Sequence, residues 1–190
     1  MKIPVSSSNY VEVIKKSRFL VKVFPLPDPE AFDGLLKENT DLSANHNCWA
    51  WKAGNRYRFS DDGEPGGTAG RPILQAIESQ GFDFVAVLVI RYFGGIKLGT
   101  GGLIRAYGGT ASRALQEAPA EIPLDLVSSA VTVSHEYTGT MYRLLKKFDI
   151  KDEVLLHGET TVTFRIQLLR DRVEEFHSAC SDATGGKAVF

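Results

Sequence analysis

This 190-residue chain is poor in cysteine and histidine, with two and four respectively. Cys48 and Cys180 alone exclude a disulfide framework, and a reducing, cytoplasmic compartment is expected. No apolar run approaches the ~20 residues needed to cross a bilayer, and no signal peptide is evident, so no membrane role is expected. Neither sign of charge dominates: the formal net charge is -1, with 14 basic and 12 acidic residues up to residue 120 against 8 and 11 beyond it. That balance excludes a simple polycation coating nucleic acid, so any polyanion site must be local. No repeat marks a solenoid, and 43% hydrophobic with 24% charged residues is ordinary for a globular chain.

One absence is confined to a segment. No Asp or Glu occurs between Asp83 and Glu117, whereas Arg91, Lys97, Arg105 and Arg113 all lie there. Within it, the apolar strand VAVLVI (Val85 to Ile90) runs into a loop carrying Gly94, Gly95, Gly99, Gly101 and Gly102, then into a helix-like sequence starting near Gly102. Glycine permits positive φ and close backbone approach, and a helix start presents unpaired N–H groups, so the junction suits an anion. On the helix, Arg105, Gly109, Ser112 and Arg113 share a face predicted to be solvated, opposite Leu103, Tyr107, Ala114 and Leu115. Gly108 and Gly109 each cost roughly 1 kcal/mol against alanine there, which implies a contact, expected on the Gly109 side.

Elsewhere, residues 11 to 24 read as two strands or a bent hairpin. Asp28 and Pro29 then start a helix running to about Lys37, with Phe32, Leu35 and Leu36 buried. Short strands at 48–52 and 56–60 flank a turn at Gly54 and Asn55. Pro72 begins another helix with Ile73, Ala76, Ile77 and Gln80 inward. Pro119 and Pro123 mark a boundary, giving predicted domains 1–121 and 125–190. Beyond it the periodicities follow a βαββαβ order, the pattern of a ferredoxin-like domain, so the fold class is α+β. The open face of that sheet presents Thr132, Ser134, Thr163, Arg165 and Gln167. It lacks the aromatic residues on which RNA-recognition sheets stack bases.

Candidate chemistry competes with plain structure at each motif. Gly94 and Gly99 have the spacing of a phosphate-binding P-loop, but Thr100 stands where its lysine belongs and Lys97 is misplaced. A backbone cradle for phosphate and simple tight packing remain equal readings of these glycines. Asp61, Asp62 and Glu64 are hard-oxygen donors that suit Mg²⁺ or acid–base work, against a turn-and-cap reading that fits the Asp-Gly context better. His46, Cys48, His177 and Cys180 have zinc-ligand chemistry, yet His177 and Cys180 share an apolar stripe with Val173 and Phe176. A Cys48 nucleophile with His46 as base lacks an orienting third group, and the P-C-x-x-C of zinc deaminases is missing. No metal and no cofactor are expected.

Four segments together, SRF (Ser17 to Phe19), HNCWA (His46 to Ala50), DDGEPGGTAGRPIL (Asp61 to Leu74) and RYFGGIKLGTGGLIRAYG (Arg91 to Gly108), closely resemble the YigZ/IMPACT family over about two thirds of the chain. The resemblance implies a first domain of the ribosomal protein S five domain 2-like type and a second similar to a closing domain of elongation factor G. It also implies association with nucleic acid or the ribosome and with regulation of translation, and the first expectation is a non-enzymatic regulator whose partner is RNA, the ribosome or an acidic translation-related protein. The binding residues expected on this reading are Arg91, Gly94, Gly95, Lys97, Gly99, Gly101, Gly102, Arg105 and Arg113. Asp61, Asp62, Glu64, Thr68 and Arg71 form a possible second motif. The alternative is an enzyme acting on a phosphorylated small molecule with a carboxylate-bound metal.

Overall fold

The apolar run at Val85 lies at the centre of a five-stranded sheet in a computed structural model that describes residues 1–150 and 153–190. The chain divides into two units, Met1–Pro123 and Leu124–Phe190. In order, the first contains β1 (Ile3–Pro4), β2 (Ser8–Ile14), β3 (Ser17–Pro25), α1 (Phe32–Asn39), β4 (His46–Ala53), β5 (Arg56–Ser60), α2 (Gly70–Ser79), β6 (Val85–Tyr92), α3 (Thr100–Glu117) and β7 (Ala120–Glu121). The sheet runs β2–β3–β6–β4–β5 with all neighbours antiparallel.

The continuous apolarity of β6 has a direct cause: both of its faces are covered. Val85, Val87 and Val89 meet Ile73 and Ile77 of α2 and Leu103, Tyr107 and Leu115 of α3. Ala86, Leu88 and Ile90 meet Phe32, Leu35 and Leu36 of α1 and Trp51 of β4. Each large side chain so buried contributes roughly 1.5–3 kcal/mol, which makes this three-layer stack the main support of the unit. Asp28 caps the 3-10 turn that leads into α1, its carboxylate accepting the Glu30 N–H at 3.0 Å. Helix α1 runs two residues beyond the expected end at Lys37, and α3 starts two residues before Gly102.

β2 and β3 form a hairpin in which Ile14 pairs with Ser17, leaving Lys15 and Lys16 as a two-residue turn. Both have positive φ, 44° and 66°. Hairpin twist demands that conformation, which Asn-Gly adopts far more readily than two lysines. The turn abuts the glycine loop after β6, because the Gly94 N–H points at the Ser17 hydroxyl, 3.3 Å away.

The second unit contains β8 (Leu126–Ser134), α4 (Thr138–Lys147), β9 (Glu153–His157), β10 (Thr161–Leu169) and α5 (Val173–Thr184), with sheet order β8–β10–β9. Met141, Leu145, Phe176 and Cys180 pack on Val131, Val133, Phe164 and Ile166. The expected last strand is reduced to one antiparallel bridge, Val189 to Thr132. Gly185 ends α5 in a left-handed conformation, before that bridge. His177 bonds the Ser129 hydroxyl at 2.8 Å and stacks on Phe190. Cys180 is buried, which pushes its thiol up to about 11. The pair is therefore structural within this unit's core. The open sheet face carries exposed Arg165 and Gln167, and the Thr132 and Thr163 hydroxyls bond each other at 2.8 Å. No described helix is long and apolar enough to cross a membrane.

Candidate functional site

Phe19, Arg91 and His46 form a row across β3, β6 and β4. Arg91 continues the Val85, Val87, Val89 alternation, so its side chain enters the helix-covered face rather than solvent. It is 5% exposed. Its Nη1 donates to Glu64 Oε1 at 2.5 Å and its Nη2 to the Ser17 hydroxyl at 3.4 Å, while the rings of Phe19 and Phe93 lie 5.6 Å from the guanidinium carbon. Glu64 also accepts the Tyr107 hydroxyl at 2.7 Å and lies 3.8 Å from His46 Nε2. A charge taken out of water is tolerated only when paired and hydrogen-bonded, as this one is. Arg91 Nε is the exception: it is buried without a hydrogen-bond partner. The expectation of a free Arg91 cation is therefore corrected, since Glu64 neutralises it.

The loop before α2 is organised by Asp61. Its carboxylate accepts the N–H groups of Gly67 at 2.8 Å, Ala69 at 2.9 Å and Gly70 at 2.8 Å. It thus caps from a distance a helix whose own N-cap, Ala69, has no capping side chain. Burial pushes the Asp61 carboxyl up, but the three amides outweigh it and hold the carboxyl below its ordinary value of 3.8. A depressed folded pKa supplies stability that is complete above the unfolded value and is lost as pH falls through the folded one. Asp61→Asn is accordingly expected to cost about 2 kcal/mol at neutral pH and to flatten the decline in melting temperature below about pH 5. Thermal scans between pH 7 and pH 2 decide it, and undiminished acid sensitivity in the variant contradicts the assignment.

The other members of this motif are equally occupied. Asp62 accepts the Asn47 N–H at 2.5 Å, and its carbonyl meets His46 Nδ1 at 2.8 Å. Thr68 is buried and donates to the Pro65 carbonyl at 2.6 Å. Arg71 is exposed beside Tyr57 and Phe59, in a groove separate from the glycine loop. Among the described residues, no three His, Cys, Asp or Glu side chains are grouped to hold a metal ion. Cys48 is fully buried and donates to the Asp61 carbonyl at 3.0 Å. Burial pushes its thiol up to about 12, the reverse of what a nucleophile needs.

The glycine loop has two kinds of glycine. Gly94 is required for close approach, because a Cβ there would overlap the Lys16 carbonyl and sit 2.5 Å from the Ser17 nitrogen. Gly99, with φ 72° and ψ 165°, is in a region that essentially only glycine occupies, and from there it serves as the N-cap of α3. That cap offers no side chain, and the first turn of α3 holds no acidic residue. The helix start, equivalent to about half a positive charge, is therefore not offset by its own cap or first turn. Lys97 and Arg105 are exposed and form no ion pair among the described residues, with Arg105 folded along the first turn over Gly101.

Arg113, expected on the same surface, is corrected: its Nη2 pairs with Glu12 of β2 at 2.6 Å. Ser112 likewise faces α2, accepting a bond from Gln80 at 2.7 Å. The glycine contact falls on Gly108, which packs against Pro72, whereas Gly109 faces its own helix's Arg113. Tyr107 is core, in an edge-to-face contact with Phe19. Tyr92 points to the opposite sheet face, where its hydroxyl donates to Asp41 at 2.5 Å and its ring lies under Arg18.

A cavity of about 370 Å³ opens between these parts, lined by Glu64, Pro65, Arg91, Phe93, Lys97, Leu98, Gly99, Thr100 and Leu103. Of the nine, the sequence pointed to Glu64, Arg91, Lys97 and Gly99. Phe93 and Thr100, present in the segments carrying the resemblance, were not singled out as contacts.

The Impact N-terminal domain family model matches residues 15–115, a span that holds every residue lining this cavity. The chain is 48% identical over 141 residues to the Thermus thermophilus protein named "IMPACT family member in pol 5'region", covering 74% of this chain and 78% of that one. It is 36% identical to Escherichia coli "IMPACT family member YigZ", covering 97% of this chain and 93% of that one. A solved structure titled "Crystal structure of an hypothetical protein" superposes with a TM-score of 0.62 at 33% identity, covering 99% of this chain and 94% of that one. With a family model over more than half its length and full-length relatives above 30% identity, this chain belongs to the IMPACT family.

Proposed function

We propose that this protein is a non-enzymatic, translation-associated regulator that holds nucleic acid, the ribosome or an acidic protein partner at the start of α3. The observation that carries the reading is the pair of exposed cations, Lys97 and Arg105, unpaired among the described residues, beside an uncapped helix N-terminus in a segment without acidic residues. With Arg91 and Arg113 neutralised internally, these two side chains and the loop amides supply the grip. Lys15 and Lys16, both exposed, extend the positive surface from the adjoining hairpin turn. The fold reading that goes with this function is a ribosomal protein S five domain 2-like first unit and a ferredoxin-like second unit akin to a closing domain of elongation factor G. Both types recur in the translation apparatus.

The enzyme reading draws support from one observation, the concave cavity that joins Glu64 to Lys97. It is less favoured by the chemistry, because Asp61 is held by three backbone amides, Asp62 Oδ2 by the Asn47 N–H, and Glu64 Oε1 by Arg91 and Tyr107.

Charge reversal tests the proposal. In titrations of a single-stranded RNA oligomer, Lys97→Glu and Arg105→Glu are each expected to weaken binding and to lower the slope of log K against log salt by about 0.7 unit per lost phosphate contact. Unchanged affinity and slope in the double variant rule the site out.

A further inference from the structure

We propose that the cavity at the start of α3 holds one phosphate monoester together with its attached base, a ligand the size of a single nucleotide. The inference rests on the reading of this helix start as the anion grip, and adds the class of group that is gripped. Three observations carry it. The cavity, at about 370 Å³, is near the lower end of the ~300–1,000 Å³ range of small-ligand sites, so it fits one nucleotide and excludes a duplex. Its polar wall is Lys97, Thr100 and the uncapped first turn of α3, with the neutral Glu64–Arg91 pair beneath, which leaves a net positive potential suited to a phosphate. Arg91, another wall residue, is 5% exposed with an Nε that has no acceptor among the described residues, so the guanidinium leaves an unmet donor beneath this wall.

The remaining wall is apolar: Pro65, Leu98, Leu103 and the ring of Phe93, which is 45% exposed although it covers the Arg91 guanidinium. A partly exposed aromatic beside an anion site is the arrangement on which a base stacks. The phosphate and base come from either of two sources, a free mononucleotide or the phosphorylated end of an RNA strand.

Calorimetric titration with AMP, adenosine and inorganic phosphate tests the idea, alongside RNA oligomers of one sequence bearing a 5′-phosphate, a 3′-phosphate or neither. AMP is expected to bind and adenosine not. Thr100→Asp, which places a carboxylate where the phosphate sits, is expected to weaken AMP at least tenfold while keeping or raising the melting temperature, since an acid favours a helix start. Phe93→Ala is expected to weaken AMP about tenfold and leave inorganic phosphate unchanged. Tighter binding of an end-phosphorylated oligomer than of AMP identifies an RNA end as the source, and equal binding identifies a free nucleotide; both support the site. If AMP binds no better than adenosine and terminal phosphate makes no difference to the oligomers, the inference is overturned. Should the oligomers nevertheless bind with a normal salt slope, the wider functional proposal survives without it. AMP binding without RNA binding has the opposite consequence.

Discussion

A Glu64→Ala protein is expected to lose about 3–5 kcal/mol of stability, a large share of the ~5–15 kcal/mol typical of a folded chain. The loss does not come from a missing attraction alone. Glu64 and Arg91 are both buried, and the carboxylate accepts from Arg91 at 2.5 Å and Tyr107 at 2.7 Å. Removing it leaves a buried guanidinium without its counter-charge, with only the long bond to Ser17, and takes away the carboxylate acceptor of the Tyr107 hydroxyl. The double replacement Glu64→Leu with Arg91→Met is expected to recover much of the loss, because a buried ion pair is weak evidence of net stabilisation against apolar groups of similar size. Urea denaturation of the single and double variants measures both terms. A Glu64→Ala midpoint within experimental error of wild type contradicts the buried-pair assignment.

Gly94→Ala is the second large effect. A Cβ at this position enters the space of the Lys16 carbonyl and the Ser17 amide, both backbone groups that cannot rotate away. Either the β2–β3 hairpin or the glycine loop must shift, at an expected cost of about 3 kcal/mol or more. Gly95 is the matched control. Its φ is 85°, but nothing lies within 4 Å of an added Cβ, so Gly95→Ala is expected to cost only about 1 kcal/mol through conformation. Equal destabilisation of the two variants, read from their denaturation midpoints, contradicts the close-approach argument.

Much of this architecture was readable from pattern. The run at Val85 gave the central strand, and the stripe of Leu103, Tyr107, Ala114 and Leu115 gave the buried side of α3. The second unit's β–α–β–β–α order followed from its periodicities, and only the terminal strand was overestimated. At the site, the fate of Arg91 was half legible. Alternation from Val85 through Val89 places it on the face that α2 and α3 cover, but its partner Glu64 lies 27 residues away in a loop that no period describes. The Arg113–Glu12 pair spans 101 residues and was similarly hidden. Local pattern reports which way a side chain points, whereas charge neutralisation depends on which strands the fold brings together. Asp61 shows the same limit in milder form: its motif carried a turn-and-cap reading, and the fold supplies the helix that it caps, α2.

The central claim is that Lys97 and Arg105, rather than the more buried Arg91 and the paired Arg113, carry the contact with an anionic partner. Capture from cell lysate, with and without nuclease, using the wild-type chain and the Lys97→Glu, Arg105→Glu double variant, tests it most directly. Ribosomal RNA and ribosomal proteins are expected on the wild type, depleted by nuclease, and absent from a double variant that keeps its melting temperature. Equal recovery of those components on a folded double variant would contradict it.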